Sequence, residues 1–237
     1  MSTVDIVKPL LLVLSALAFV AVIFPPRRAV RGKQAVYKGQ VFELIVRHLA
    51  HLACFVVAGA ATSHTLLLIS WGLMPQAGPL VPWLCRTPSV PFDALTGFSA
   101  RFIAGAALVA LGAFLRAASY WALGPLFTFE VVIKDDHSLV TTGPYRYVRH
   151  PSYTGAALVL VGSHLIHFGP AGFVTQCRVE NTPFVVLVWM WRVGTIFSVL
   201  SLGRRCSVED NQLRKRFGQV WEEYRVDVPY RLLPYVY

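Results

Sequence analysis

Apolar residues are not scattered along this chain but gathered into long runs. Five of these predict membrane-spanning helices, because a bilayer core takes roughly 20 apolar residues in a helix. They cover about Pro9–Phe24, Leu49–Leu73, Phe98–Ala122, Tyr153–Gly172 and Pro183–Leu202. The first is short, and Pro25-Pro26 stops it. A signal peptide is the competing reading of that run. Phe24-Pro25-Pro26-Arg27 makes a poor small-residue cleavage site, so it is expected to stay as a helix.

Composition agrees with the pattern. The 237 residues are 55% hydrophobic and 14% charged, with a mean hydropathy of +0.55. A soluble domain carries about 25% charged residues. Disorder is excluded by the 13% aromatic content and the long apolar runs. The expected fold class is all-α, a polytopic integral membrane protein with about five transmembrane helices. Three spans would fill residues 1–122. A second region, 123–237, would carry a cytosolic loop, a helical hairpin and a C-terminal amphipathic helix.

The net charge of +10 is a matter of sidedness. Sixteen Lys and Arg fall after span one, before span four and in the tail, whereas three (Lys8, Arg86 and Arg178) fall on the other side. Such a bias places the basic side in the cytosol, with the C-terminus there and the N-terminus opposite. It also explains the charge by anionic headgroups, with no call for nucleic acid. The four cysteines, Cys54, Cys85, Cys177 and Cys206, show neither metal-ligand spacing nor a disulfide framework. No metal is expected.

Two stretches are unlike ordinary loops. Leu123–Tyr153 has a β-like run (Phe127–Ile133), turns at Asp135-Asp136 and Thr142-Gly143-Pro144, and then Tyr145, Arg146, Tyr147, Arg149, His150, Pro151 and Tyr153. An aromatic interface belt is the plain alternative. In the tail, Leu213, Phe217, Val220, Trp221 and Tyr224 fall on one helical face. Arg205 and Glu209 stand at i and i+4, spaced for an intrahelical ion pair or for a polar site facing His150. Arg192 lies near the middle of span five and needs a partner, for which His51, His64, backbone or lipid phosphate are candidates. Arg101 and Arg116, nearer span ends, are expected to snorkel. His164 and His167 are expected to pack and hydrogen-bond.

The run His137-Ser138-Leu139-Val140-Thr141-Thr142-Gly143-Pro144-Tyr145, followed by Arg149-His150-Pro151-Ser152-Tyr153, resembles the signature of the isoprenylcysteine carboxyl methyltransferase family. So does the tail, with Arg205-x-x-x-Glu209-Asp210, Phe217-Gly218-x-x-Trp221-x-x-Tyr224 and Val228-Pro229-Tyr230-Arg231. The likeness covers about half the chain. One departure is Glu209-Asp210, where the family commonly has two glutamates. Phospholipid methyltransferases and sterol reductases share the His150-Pro151-x-Tyr153 piece.

The resemblance implies S-adenosyl-L-methionine as cofactor. His137, Ser138, Leu139, Val140, Tyr145, His150, Pro151, Ser152 and Tyr153 would line its pocket. Glu209 would hold its amino-acid end, and Arg205 would meet the substrate carboxylate. The implied reaction methylates the C-terminal carboxylate of isoprenylated cysteine. Its partners would be farnesylated or geranylgeranylated CaaX-processed proteins in the endoplasmic reticulum membrane. That chemistry suits the residues. A terminal carboxylate is already ionised at neutral pH, so it needs an anion anchor and no general base. Aromatic faces such as Tyr145 and Tyr153 could hold a sulfonium. A phospholipid or other small-lipid methyltransferase is the main alternative. A reductase-like or non-enzymatic membrane protein is another.

Overall fold

A computed structural model describes residues 3–24, 41–73, 81–85, 87, 92–127 and 138–236. The helices are α1 (Thr3–Ile23), α2 (Val41–Leu73), α3 (Val81–Leu84), α4 (Phe92–Thr96), α5 (Ala100–Leu123), α6 (Pro151–His167), α7 (Phe173–Gln176), α8 (Val185–Phe217) and α9 (Gln219–Asp227). Regular structure among the described residues is helical throughout. The β-like run falls almost wholly outside them, as do the Asp135-Asp136 turn and His137.

Four stretches are long and apolar enough to cross a membrane: Ile6–Ile23, Val41–Gly72, Phe92–Leu126 and Val185–Phe217. The protein is polytopic and all-α. The expected fourth span is α6, whose 17 residues reach only about 25 Å at ~1.5 Å per residue. It is also the most enclosed of the long helices, with Val159, Ile166 and His167 fully or almost fully buried. Pro151 opens it at the first helical position, where the missing N–H costs nothing.

α6 lies antiparallel against α5 on a stripe of glycines. A methyl group built on Gly112 would sit 2.7 Å from the Gly155 carbonyl oxygen, and one on Gly162 would sit 2.6 Å from the Gly105 carbonyl oxygen. Only glycine at these four positions lets the two backbones meet so closely, the usual device for helix association in lipid. Arg116 closes the same interface. It does not snorkel: it is buried, and donates from Nε to the Val22 carbonyl (2.6 Å) and from Nη1 to the Ser152 carbonyl and hydroxyl (both 3.0 Å). Arg101, in contrast, is exposed.

α2 and α8 have 33 residues each, about 50 Å long at ~1.5 Å per residue. Both overrun the bilayer. The start of α2 meets the middle of α8 at one end of the bundle, through Phe42 on Phe197 and Glu43 on Arg205. At the opposite end Cys85 and Cys177 form a disulfide between the α2–α5 and α6–α8 connections. The cysteines therefore include a pair that their spacing concealed, because 92 residues separate partners brought together only by the packing of the spans. Cys54 and Cys206 are buried free thiols.

Arg192 also departs from expectation. It lies two turns into α8, and its Nη2 donates to Glu180 Oε1 at 2.5 Å. Its partner is this carboxylate in the short Val179–Asn181 turn, not a histidine of α2. The expected tail helix is two helices. Gly218, with φ +56°, ends α8 and turns the chain into α9, where Trp221 and Tyr224 are buried and Val220 is exposed.

Candidate active site

Tyr145 stands in the 3₁₀ turn Gly143–Arg146, and Arg149 and His150 follow just before α6. Gly143 has φ +62°, which favours glycine, and Pro144 starts the turn. The tail locks this segment from outside. Arg149 N–H donates to the Tyr230 carbonyl (3.0 Å), and His150 N–H to the Arg231 carbonyl (2.8 Å). Arg149 Nη1 reaches the carbonyls of Val228 and Pro229, and Thr154 Oγ1 reaches that of Leu232. Tyr224 of α9 donates its hydroxyl to the Tyr145 carbonyl at 2.7 Å. The two halves of the motif are thus one hydrogen-bonded unit.

Its centre is a chain of buried charges. His150 Nε2 lies 3.0 Å from Asp210 Oδ1, and Nδ1 lies 3.4 Å from Glu209 Oε2. The Tyr153 hydroxyl donates to the same Glu209 oxygen at 2.6 Å. Asp210 also takes Arg149 (3.3 Å) and Arg231 (3.2 Å) on Oδ2. Burial disfavours a charged His150. Hydrogen bonds and Coulomb attraction from Asp210 and Glu209 together outweigh it, so the His150 pKa is raised. Burial pushes the Tyr145 and Tyr224 phenols up, keeping both neutral.

The two acidic neighbours have different work. Asp210 is enclosed by two arginines and a histidine, with 5% of its side chain exposed. Glu209 keeps 32% of its side chain open. The open acid is accessible to a ligand; the closed one is fully engaged within the motif. Arg149, Asp210 and Arg231 were visible as motif letters, but their mutual pairing was not.

Arg205 takes a partner the sequence reading missed. Its Nε lies 3.2 Å from Glu43 Oε1 on α2, and its guanidinium stands 5.4 Å from the Tyr153 ring centre. Glu43 precedes the apolar run of α2, so it reads as a loop residue; the helix starts earlier, at Val41, and carries it into the core. Glu43, at the start of α2, is thus a buried acid beside the spans.

A cleft opens beside Arg205. Phe42, Val46, Leu49, Ala156 and Leu202 are among its apolar walls, while Arg116, Ser152, Tyr153 and Arg205 form its polar end. Ser138 is exposed, and Leu139 and Val140 are half-buried in the strand-free segment leading to Thr142. Of the expected site residues, Tyr145, His150, Pro151, Ser152, Tyr153, Arg205 and Glu209 converge within one end of the bundle. Glu209's open carboxylate fits the ammonium of S-adenosyl-L-methionine.

Comparison with known proteins bears on what such a site belongs to. A family model described as phospholipid methyltransferase matches residues 100–220, just over half the chain. The chain belongs to this family. It is also similar to protein-S-isoprenylcysteine O-methyltransferase B of Arabidopsis thaliana, at 29% identity over 53% of this chain and 55% of that protein. The enzyme of Schizosaccharomyces pombe is 30% identical over 56% of this chain and 49% of its own length. The human protein-S-isoprenylcysteine O-methyltransferase is 29% identical over 54% of this chain and 39% of its own length. The matched region spans about half or less of these relatives. The phospholipid methyltransferase family match takes in α5, α6 and α8, and with them Tyr153, Arg205 and Glu209.

Proposed function

We propose that this protein methylates the carboxylate of isoprenylated cysteine at protein C-termini, using S-adenosyl-L-methionine. The observation that carries this reading is an apolar cleft whose polar end holds Arg205 next to the Tyr153–Glu209 pair. A lipidated acid needs these together: hydrocarbon walls for its chain and a permanent cation for its head. Arg205 would anchor the carboxylate and leave one oxygen free to react. Glu209, His150, Tyr153 and Tyr145 would hold the cofactor, with Ser138, Leu139, Val140, Pro151, Ser152 and His137 completing its pocket.

S-adenosyl-L-methionine supplies a methyl group on a sulfonium, whose transfer to a carboxylate oxygen makes an ester and a neutral thioether with no proton to move. The work left to the chain is alignment of the two partners. Glu209 would accept hydrogen bonds from the cofactor's ammonium, and its Oε2 is already held by the Tyr153 hydroxyl. Tyr145, buried and neutral, presents no competing nucleophile.

The site's end of the bundle is the basic one, and the disulfide is at the other. Disulfides persist in oxidising compartments. That supports a cytosolic C-terminus with Cys85–Cys177 in the lumen, in the endoplasmic reticulum membrane, and with α6 completing a fifth crossing.

The test is methyl transfer from labelled S-adenosylmethionine in membranes containing the protein. N-acetyl-S-farnesylcysteine and phosphatidylethanolamine serve as acceptors. Base-labile label on farnesylcysteine, lost in an Arg205→Gln/Glu43→Gln variant that still folds, supports the reading. The family match favours one competitor specifically: label on the phospholipid alone makes this a lipid N-methyltransferase.

A further inference from the structure

The cleft at Arg205 borders further space along α8. It shares Leu49, Ala53, Leu160 and Ser198 with a second, narrower space between α2 and α8, lined by Met190, Gly194 and Thr195. That space shares Val56 with a third chamber at the disulfide end, walled by Phe55, Gly59, Phe173, Phe184 and Leu187. The cavity volumes along this track are about 80, 20 and 700 Å³. The middle space is a waist, and beyond it the room widens.

Gly194 stands at the waist, and packing does not ask for it. Gly105, Gly112, Gly155 and Gly162 are glycine because a methyl there would meet backbone oxygen at 2.6–2.8 Å. A methyl on Gly194 would meet only Leu49 Cδ2, at 4.0 Å. Glycine inside a helix costs about 1 kcal/mol against alanine. At Gly194 what it provides is free cross-section. Met190 beside it has three rotatable bonds and can turn out of the way.

Resting on the carboxylate reading above, we infer that Gly194 is the residue that lets long isoprenoid chains pass from the Arg205 cleft into the far chamber, and so sets the chain length this protein accepts. The lengths agree. Gly194 lies eleven residues back from Arg205 along α8, about 16 Å at ~1.5 Å per residue. An extended chain advances about 1.25 Å per bond, so S-geranyl-, S-farnesyl- and S-geranylgeranylcysteine reach about 14, 19 and 24 Å from the carboxyl carbon. Laid along α8 toward the waist, the first ends short of Gly194 and the other two extend past it.

The experiment is methylation of the three N-acetyl-S-prenylcysteines by the full chain in membranes, wild type against Gly194→Leu and Gly194→Ala. Gly194→Leu is expected to keep kcat/KM on the geranyl acceptor within about twofold and to lose at least about tenfold on the two longer ones. Gly194→Ala should fall between. An equal loss on all three acceptors, or no change on any, overturns the inference while leaving the carboxylate reading in place. A wild-type protein that methylates none of the three removes that reading, and this inference with it.

Discussion

Arg205 Nε stands 3.2 Å from Glu43 Oε1, with 5% and 1% of the two side chains exposed. The anion anchor proposed for the substrate is thus already held, and oriented, by an acid from another helix. Taking both charges out of water costs several kcal/mol per ion, which their attraction offsets only while both are present. Removing one partner leaves the other uncompensated.

Glu43→Leu or Arg205→Met alone is therefore expected to destabilise the protein by about 3–5 kcal/mol, and the double variant by much less than the sum. Thermal unfolding in detergent for the four proteins of the cycle checks this. Methyl transfer should vanish in both variants lacking Arg205, including the stable double one. Additive losses of stability would mean that the pair is not coupled.

His150 makes a prediction about pH. Its folded-state pKa is raised above the ordinary value near 6.5. A group of this kind contributes stability that is full below about pH 6.5 and is lost as pH rises through the folded pKa. Melting temperature should fall across that rise, as the imidazolium between Glu209 and Asp210 loses its proton. His150→Gln should start lower and show a flatter profile. A wild-type profile with no slope above pH 6.5 would place the network's charge elsewhere.

Much of this fold is legible from the apolar runs, since α1, α2, α5 and α8 each contain one. What those runs hide is where helices continue past the hydrocarbon. Val41–Leu49 and Gly203–Phe217 are helical but polar enough to read as loop or tail, and these extensions carry Glu43, Arg205 and Glu209. The tail's apolar spacing ran straight through Gly218, although that glycine is itself the stop signal for α8. Motif letters pointed to His150, Tyr153 and Glu209 as a set. Their order of contact, with Tyr153 on Glu209 and Arg149 and Arg231 on Asp210, depends on the tail folding back over Arg149. That is long-range information with no local sequence signal.

The glycines separate into two kinds, and stability should tell them apart. A side chain at Gly155 would strike the Gly112 carbonyl at 2.7 Å and Arg116 backbone at 3.0 Å. Backbone cannot swing aside, so Gly155→Leu must pry α5 from α6, at a cost of about 1–3 kcal/mol or more. Gly194→Ala meets no such contact and should gain up to about 1 kcal/mol from helix propensity. Unfolding of both variants in one detergent checks the contrast. Equal destabilisation would mean that the α2–α8 seam is packed as tightly as the α5–α6 one.

The Cys85–Cys177 bond closes a sequence separation of 92 residues. Its removal should cost about 2–5 kcal/mol, chiefly by freeing the unfolded chain. Cys85→Ser, Cys177→Ser and the double variant should then melt alike, because each deletes the same bond. Methyl transfer at permissive temperature should survive, since α8 runs about 30 Å between Val185 and Arg205. In sealed vesicles with the basic side outward, a reductant unable to cross the bilayer should leave the bond intact until the membrane is permeabilised. Reduction without permeabilisation would put the disulfide on the same side as the basic loops. The disulfide and the Arg205 cleft would then lie on one side of the membrane, and the long helices between them would not cross it as drawn.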